Sequence, residues 1–291
     1  MSLLLATLGR LPRPVARGLG AAVGLLAYGL FGRLRRVGVT NLALAFPEKP
    51  PSDRRRILRA SFRNLGLHLA EFCQMRRYTP ARAQTVIEYD GLDMYLQARG
   101  RGRGVLVLTG HLGAWELSSF FHSLMGFPMG LLIRRLDNPL VDALVNEIRC
   151  LHGNRVIHKD DFARGLISEM RAGQTVGILM DTNMTPPQGV FVPFFNALAC
   201  TASGMARVAS KTGAAVLPGF LLWERARRRY SLRFGEEIPL ARTDDPEHDA
   251  LTNTARFTAV LEHYIRLYPE QWLWMHRRWK TRPPGEPPIY Q

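Results

Sequence analysis

From Val86 to about Ile238 the chain alternates short apolar, strand-like runs with stretches of helical periodicity. The runs are Val105–Leu108 (VLVL), Pro128–Ile133 (PMGLLI), Arg155–His158 (RVIH), Thr175–Asp181 (TVGILMD), and the segments 214–223 (AAVLPGFLLW) and 229–238 (RYSLRFGEEI). Helical spacing falls on Pro139–His152, Phe162–Arg171 and Thr201–Thr212, with a late helix over Asn253–Tyr268. This βα alternation predicts an α/β fold with a mostly parallel central sheet flanked by helices. In such sheets, sites gather at the carboxyl ends of strands. Two polar stretches lie there: Thr109–Leu117 (TGHLGAWEL) after VLVL, and Asp181–Asn183 after the later run.

The length of 291 residues allows one large α/β domain or two small ones, and 46% hydrophobic content argues against a polytopic membrane protein. The net charge of +15 points to a polyanionic partner: nucleic acid, an anionic membrane, an acidic carrier protein or a phosphorylated substrate. Solvated arginine-rich faces fit the same composition. Cys73, Cys150 and Cys200 are scattered, without a CxxC pair or a Cys/His cluster, so the expectation is no zinc site and a reducing compartment.

The N-terminal segment Gly18–Gly32 carries no charge and is flanked by Arg10, Arg13 and Arg17 before it and Arg33, Arg35 and Arg36 after it. As a helix it rises about 22 Å, short of the ~20 residues that usually span a bilayer. The reading is a membrane-associated helix, either a marginal span or an interfacial anchor, with a glycine-rich core helix as the alternative. Residues 1–45 are therefore expected as an anchor with a basic helix, and residues 46–291 as the main domain. The break is the Pro-rich Phe46–Asp53, where Ser52 or Asp53 could cap the next helix. That helix places Ile57, Leu58, Phe62, Leu65, Leu69 and Phe72 on one face, opposite a basic one.

TGHLGAWEL reads either as an ordinary strand-to-helix turn or as a catalytic pair. Inside one helix, His111 and Glu116 would stand about 140° apart. With His111 in the turn before the helix, its ring can fold back toward Glu116. A carboxylate on one imidazole nitrogen fixes the tautomer, and the other nitrogen can then take a proton from a hydroxyl. Gly110 and Gly113 would leave room for substrate. No GxSxG or other nucleophile frame is present, so a pair of this kind suits direct attack by a substrate hydroxyl.

Four stretches occur in order: TGHLGAWEL, LIRRLDNPLVDALVNEIR, LMDTNMTPPQGVFVPFFNALACTASGMARVASKTGAAVLPGF, and PEQWLWMHRRWKTRPPGE. Together with VGVTNLALAFPEKPPSDRRRILRASFRNLG near the N-terminus, they resemble the lipid A biosynthesis acyltransferase family, the late acyltransferases of Gram-negative inner membranes. The resemblance extends from about residue 10 to 286 and implies a glycerolipid-acyltransferase-like fold.

The resemblance implies His111 as general base and Glu116 as its orienter. Arg134, ahead of Asp137–Pro139, would stabilise an oxyanion or grip a phosphate. Asp181, Asn138 and Arg277 are candidates for the substrate site, although a helix cap or salt bridge would account for Asp181 equally well. The cations around Trp274 and Trp279 suit a membrane interface, whereas the tryptophans could also be core. Val190–Phe195 (VFVPFF) could line an acyl slot or belong to the core.

The implied activity is O-acyl transfer from an acyl-carrier-protein or CoA thioester to a hydroxyl of a lipid A precursor. It needs no metal or bound cofactor and would take place at the cytoplasmic face of the inner membrane. Phosphatidylinositol mannosides or lysophospholipids remain alternative acceptors. A non-catalytic basic protein that binds membrane or nucleic acid is the alternative of another class, although no nucleic-acid-binding motif is present.

Overall fold

The computed structural model describes residues 2–158 and 162–290. The chain opens with α1 (Ser2–Arg10), α2 (Arg13–Leu30), α3 (Gly32–Ala45), α4 (Pro51–Gln74) and α5 (Pro80–Gln84). Next come β1 (Ile87–Asp90), α6 (Leu92–Gly100), β2 (Val105–Thr109), α7 (Trp115–Leu124), β3 (Gly130–Ile133), α8 (Pro139–Arg149) and β4 (Arg155–His158). The remaining elements are α9 (Phe162–Arg171), β5 (Thr175–Leu179), β6 (Gly189–Phe194), β7 (Ala197–Ala202), α10 (Gly204–Thr212), β8 (Ala215–Glu224), β9 (Arg229–Phe234) and α11 (Pro246–Leu267).

Among the described residues seven strands form the central sheet in the order β1-β9-β8-β2-β5-β3-β4. Every neighbouring pair is parallel except β8–β9, a hairpin that turns the last two strands of that edge around. β6 and β7 make a separate antiparallel hairpin. The apolar run of β2 is continuous because both its faces are covered. Val105 and Val107 pack with Phe120 and Phe121 of α7. Leu106 and Leu108 pack with Leu166, Met205 and Phe257 on the other side.

Several boundaries differ from the sequence expectation. Thr201 and Ala202 finish β7, so α10 begins only at Gly204. The late helix starts at Pro246, earlier than Asn253, because Asp245 caps it by accepting from the backbone N–H groups of Glu247 and His248. Neither Ser52 nor Asp53 caps α4, whose first turn starts at Pro51 and has no side-chain cap.

Among the described residues no single helix is long and apolar enough to cross a membrane; α2 and α3 meet at a bend of 89°. α2 instead lies along α4 with the two backbones in contact. A Cβ built on Gly66 would fall 1.9 Å from the Gly20 carbonyl oxygen, and one on Gly24 would fall 2.2 Å from that of Phe62. Only glycine permits this approach. Beside it, the buried Glu71 carboxylate accepts from Arg13 at 2.6 Å, from Arg17, and from the Tyr78 hydroxyl at 3.0 Å. Arg17 also donates to the Tyr230 hydroxyl and stacks over Trp223, which fastens α2 to the antiparallel edge of the sheet.

Alanine has the better helix propensity, so Gly66→Ala in an isolated helix would be mildly stabilising. Here it is expected to destabilise the protein by at least ~1–3 kcal/mol, because two backbones must separate. Thermal and urea unfolding check this; a variant as stable as the parent would contradict the packing.

Candidate active site

β2 and β5 are parallel neighbours in register, with Thr109 opposite Leu179. The pairing runs one step past the strands, where the Met180 N–H donates to the Thr109 carbonyl at 2.9 Å. Two residues beyond each strand end stand His111 and Asp181, which the register therefore sets side by side. The imidazole Nδ1 lies 2.9 Å from Asp181 Oδ1, and the His111 backbone N–H donates to Oδ2 at 2.7 Å. Oδ2 also accepts from the Trp272 indole N–H at 2.8 Å. Asp181 is buried, while His111 keeps 24% of its side-chain surface exposed.

Burial alone would push the Asp181 carboxyl upward; the attraction of His111, with the hydrogen bonds from His111 and Trp272, outweighs it and holds the group at about 2. A carboxylate can only accept, so Nδ1 carries the proton and Nε2 is the basic nitrogen. Trp115 and the imidazole pack edge to face, with ring centroids 5.2 Å apart.

The glycines of this turn serve the protein itself, and the expected room for substrate is taken. A Cβ on Gly110 would sit 3.0 Å from the Asp181 carboxyl carbon. Gly113, at φ +67°, passes so near the Leu221 carbonyl that a Cβ would fall 2.0 Å from its oxygen.

The resemblance gives Glu116 as the carboxylate that orients His111; in the structure the carboxylate hydrogen-bonded to the ring is that of Asp181. Glu116 is the second residue of α7, and its carboxylate is gripped by both arms of the Arg149 guanidinium, with Nε donating to Oε2 at 2.8 Å. Burial works to lower the pKa of Arg149, but the bond and charge of Glu116 raise it further. The fork geometry makes this a strong, charge-assisted contact. The pair lies at a cleft whose walls are otherwise mainly apolar, lined by Thr109, Leu179, Leu131 and Ile133 of the sheet together with Trp115 of α7.

The other candidates are dispersed. Arg134 is largely exposed and only loosely paired with Asp137, at 3.4 Å. Asn138 caps α8, accepting from the N–H groups of Leu140 and Val141, so its side-chain oxygen is committed to the helix start. Arg277 lies over the Tyr290 ring. Its neighbour Arg278 is fully buried and holds the carbonyls of Thr182 and Cys200 and the Thr201 hydroxyl. His276 accepts from the Asn183 backbone N–H, in a structural role.

Trp274 and Trp279 are buried, which favours the core over the interface among their two readings, and Trp272 is buried beside them. Of VFVPFF, Val192 and Phe194 are core, Pro193 is exposed and the others are half-buried; Phe194 packs against Trp272 and Trp279 and takes no part in lining the cleft.

Two residues of the site escaped the sequence reading. Arg149 ends an amphipathic helix, where a basic residue is ordinary and draws no notice. Trp272 sits in an aromatic-rich segment, 91 residues from the carboxylate it donates to.

A carboxyl held at about 2, against an ordinary 3.8, contributes stability that is complete above its unfolded pKa and is lost as the pH falls through the folded one. The stability gap between the native protein and Asp181→Asn is therefore expected to be widest above pH ~4 and to shrink toward pH ~2. Urea unfolding over that range reads it. Trp272→Phe, which removes one donor from a buried carboxylate, should cost ~1–3 kcal/mol at neutral pH.

Comparison with known proteins gives this geometry a setting. Residues 2–281 match the family model described as bacterial lipid A biosynthesis acyltransferase. The chain is 30% identical over 282 residues to the lipid A biosynthesis lauroyltransferase of Escherichia coli K12, covering 97% of this chain and 90% of that protein. It is 28% identical over 284 residues to the palmitoleoyltransferase of the same organism, with the same coverage, and 26% identical over 266 residues to its myristoyltransferase, covering 91% and 81%. The chain is an acyltransferase and belongs to the bacterial lipid A biosynthesis acyltransferase family.

Proposed function

We propose that this enzyme moves an acyl chain from an acyl thioester, on acyl carrier protein or CoA, to a hydroxyl of a lipid A precursor, with His111 as general base. The carrying observation is the His111–Asp181–Trp272 chain of hydrogen bonds at the strand ends, beside an apolar cleft with a charged rim. Nε2 of His111 takes the acceptor hydroxyl's proton as its oxygen attacks the thioester carbonyl. The tetrahedral intermediate collapses with cleavage of the C–S bond, and the imidazolium returns the proton to the departing thiolate. Asp181 holds the ring and stabilises its charged form. Arg149, fixed by Glu116 at the cleft, supplies positive charge where the oxyanion develops, a function the sequence had suggested for Arg134. The acyl chain occupies the apolar part of the cleft.

Arginine-rich surfaces suit the three anionic participants this reading requires: carrier, phosphorylated acceptor and bilayer. We place the enzyme at the cytoplasmic face of the inner membrane, with residues 1–45 as its membrane-associated portion.

Native protein given acyl-carrier-protein thioester and a lipid A precursor should release thiol and yield an acylated lipid by mass spectrometry. His111→Ala is expected to lower turnover by ~100-fold or more, with unfolding curves unchanged in shape. Equal turnover in that variant, or thiol release without acylated product, would contradict the mechanism.

A further inference from the structure

α2 is an amphipathic helix turned inside out. Its only charged residues, Arg13 and Arg17, point inward to the buried Glu71. Its outward face carries Val15, Leu19, Val23, Leu26 and Leu30, each about half exposed or more, reaching 60% at Leu26 and 69% at Leu30. Steps of three and four residues put these side chains on one stripe. Phe31, 55% exposed, continues it. Along an ordinary soluble helix the charges would be outside and the leucines inside.

We infer that α2 lies in the plane of an anionic bilayer, its outer stripe sunk into the headgroup–acyl boundary, and does not span it. The inference rests on the membrane setting proposed above and specifies its geometry. Spanning is opposed by what holds the helix. Its inner face touches the α4 backbone at Gly20, Gly24 and Gly66, so a spanning helix would have to leave α4 and strand Glu71. The other arm of the bent pair is fixed too: Asn41 of α3 donates to the carbonyls of Trp274 and His276, at 2.7 and 2.8 Å. The 18 residues of α2 also rise only about 27 Å, less than the ~30 Å hydrocarbon core.

Charge placement selects lipid as the occupant over a second copy of the chain. Between Pro14 and Phe31 the exposed residues are all apolar or glycine, while exposed arginines stand at both ends: Arg10 before the helix, Arg33 and Arg36 after it. An in-plane helix brings both ends to the same depth, where guanidinium groups can meet lipid phosphates.

The test places an environment-sensitive fluorophore on single cysteines at positions 15, 19, 23, 26 and 30, in full-length protein carrying Cys150→Ser; Cys73 and Cys200 are buried. Vesicles containing phosphatidylglycerol carry quenchers either near the headgroup or deep in the acyl region. Uniform shallow quenching at all five positions supports the in-plane helix. A graded profile, deepest at position 23, would show a span and overturn it. Labels already shielded without lipid in a dimeric protein would overturn it in favour of self-association. Leu19→Glu with Leu26→Glu should lower vesicle binding by ~100-fold or more, and undiminished binding would also overturn the inference. Thiol release by that variant on detergent-dispersed substrates is expected within about twofold of the parent. If neither protein releases thiol, the proposed acyl transfer fails, while the depth profile still decides the position of the helix.

Discussion

The register between β2 and β5 is the constraint on which the site depends. With Thr109 opposite Leu179, the residues two places beyond each strand end stand together, and these are His111 and Asp181. Shifting the register by one residue would turn one of them to the opposite face of the sheet. The pairing is secured from outside the sheet by the C-terminal segment. There the Leu273 N–H donates to the His111 carbonyl at 3.1 Å, and Trp272 brings its indole N–H to Asp181. Gly110 makes the close approach possible, since any side chain there would press on the carboxyl group. The two hydrogen-bonded side-chain pairs, His111–Asp181 and Glu116–Arg149, therefore have different origins. His111–Asp181 comes from strand register, and Glu116–Arg149 from two helices that follow neighbouring parts of the sheet.

A second buried carboxylate organises the N-terminal helices. Glu71 accepts from two arginines of α2 and from Tyr78, and Arg17 continues the network to Tyr230 and Trp223. Removing one partner from such a network leaves buried charge without compensation, which costs far more than an exposed ion pair is worth. Drawing the arginines inward is what leaves a purely apolar stripe on the outside of α2. The glycines that let α2 lie on α4, and the charges that turn it inside out, thus lead from local packing to a surface suited to lipid.

Much of the sheet was legible, because a buried strand announces itself locally as an apolar run. VLVL, TVGILMD and the two runs from Ala214 became β2, β5, β8 and β9 with modest changes at their ends. His111 could be picked out for the same reason, as a polar residue just past a strand. Its partner could not: Asp181 is 70 residues away, and adjacency between β2 and β5 is a property of strand order, which no local pattern carries. Glu116 was the nearer carboxylate in sequence, but Arg149 claims it. Similarly, the uncharged stretch from Gly18 read correctly as helical and apolar, yet the inward turn of Arg13 and Arg17 depended on a glutamate more than fifty residues later. Trp274 and Trp279 read equally as core or interface from local sequence, because the rings that cover them, Phe195 on Trp274 and Phe194 on Trp279, come from a distant hairpin.

We propose that Asp181, and not Glu116, fixes the proton on His111. Nitrogen-15 NMR of the His111 ring near neutral pH tests this most directly. The expected spectrum is that of a ring protonated at Nδ1 and not at Nε2, in the native protein and equally in Glu116→Gln. In Asp181→Asn that tautomer preference should be lost. A spectrum that changes in Glu116→Gln and stays as it was in Asp181→Asn would contradict the account.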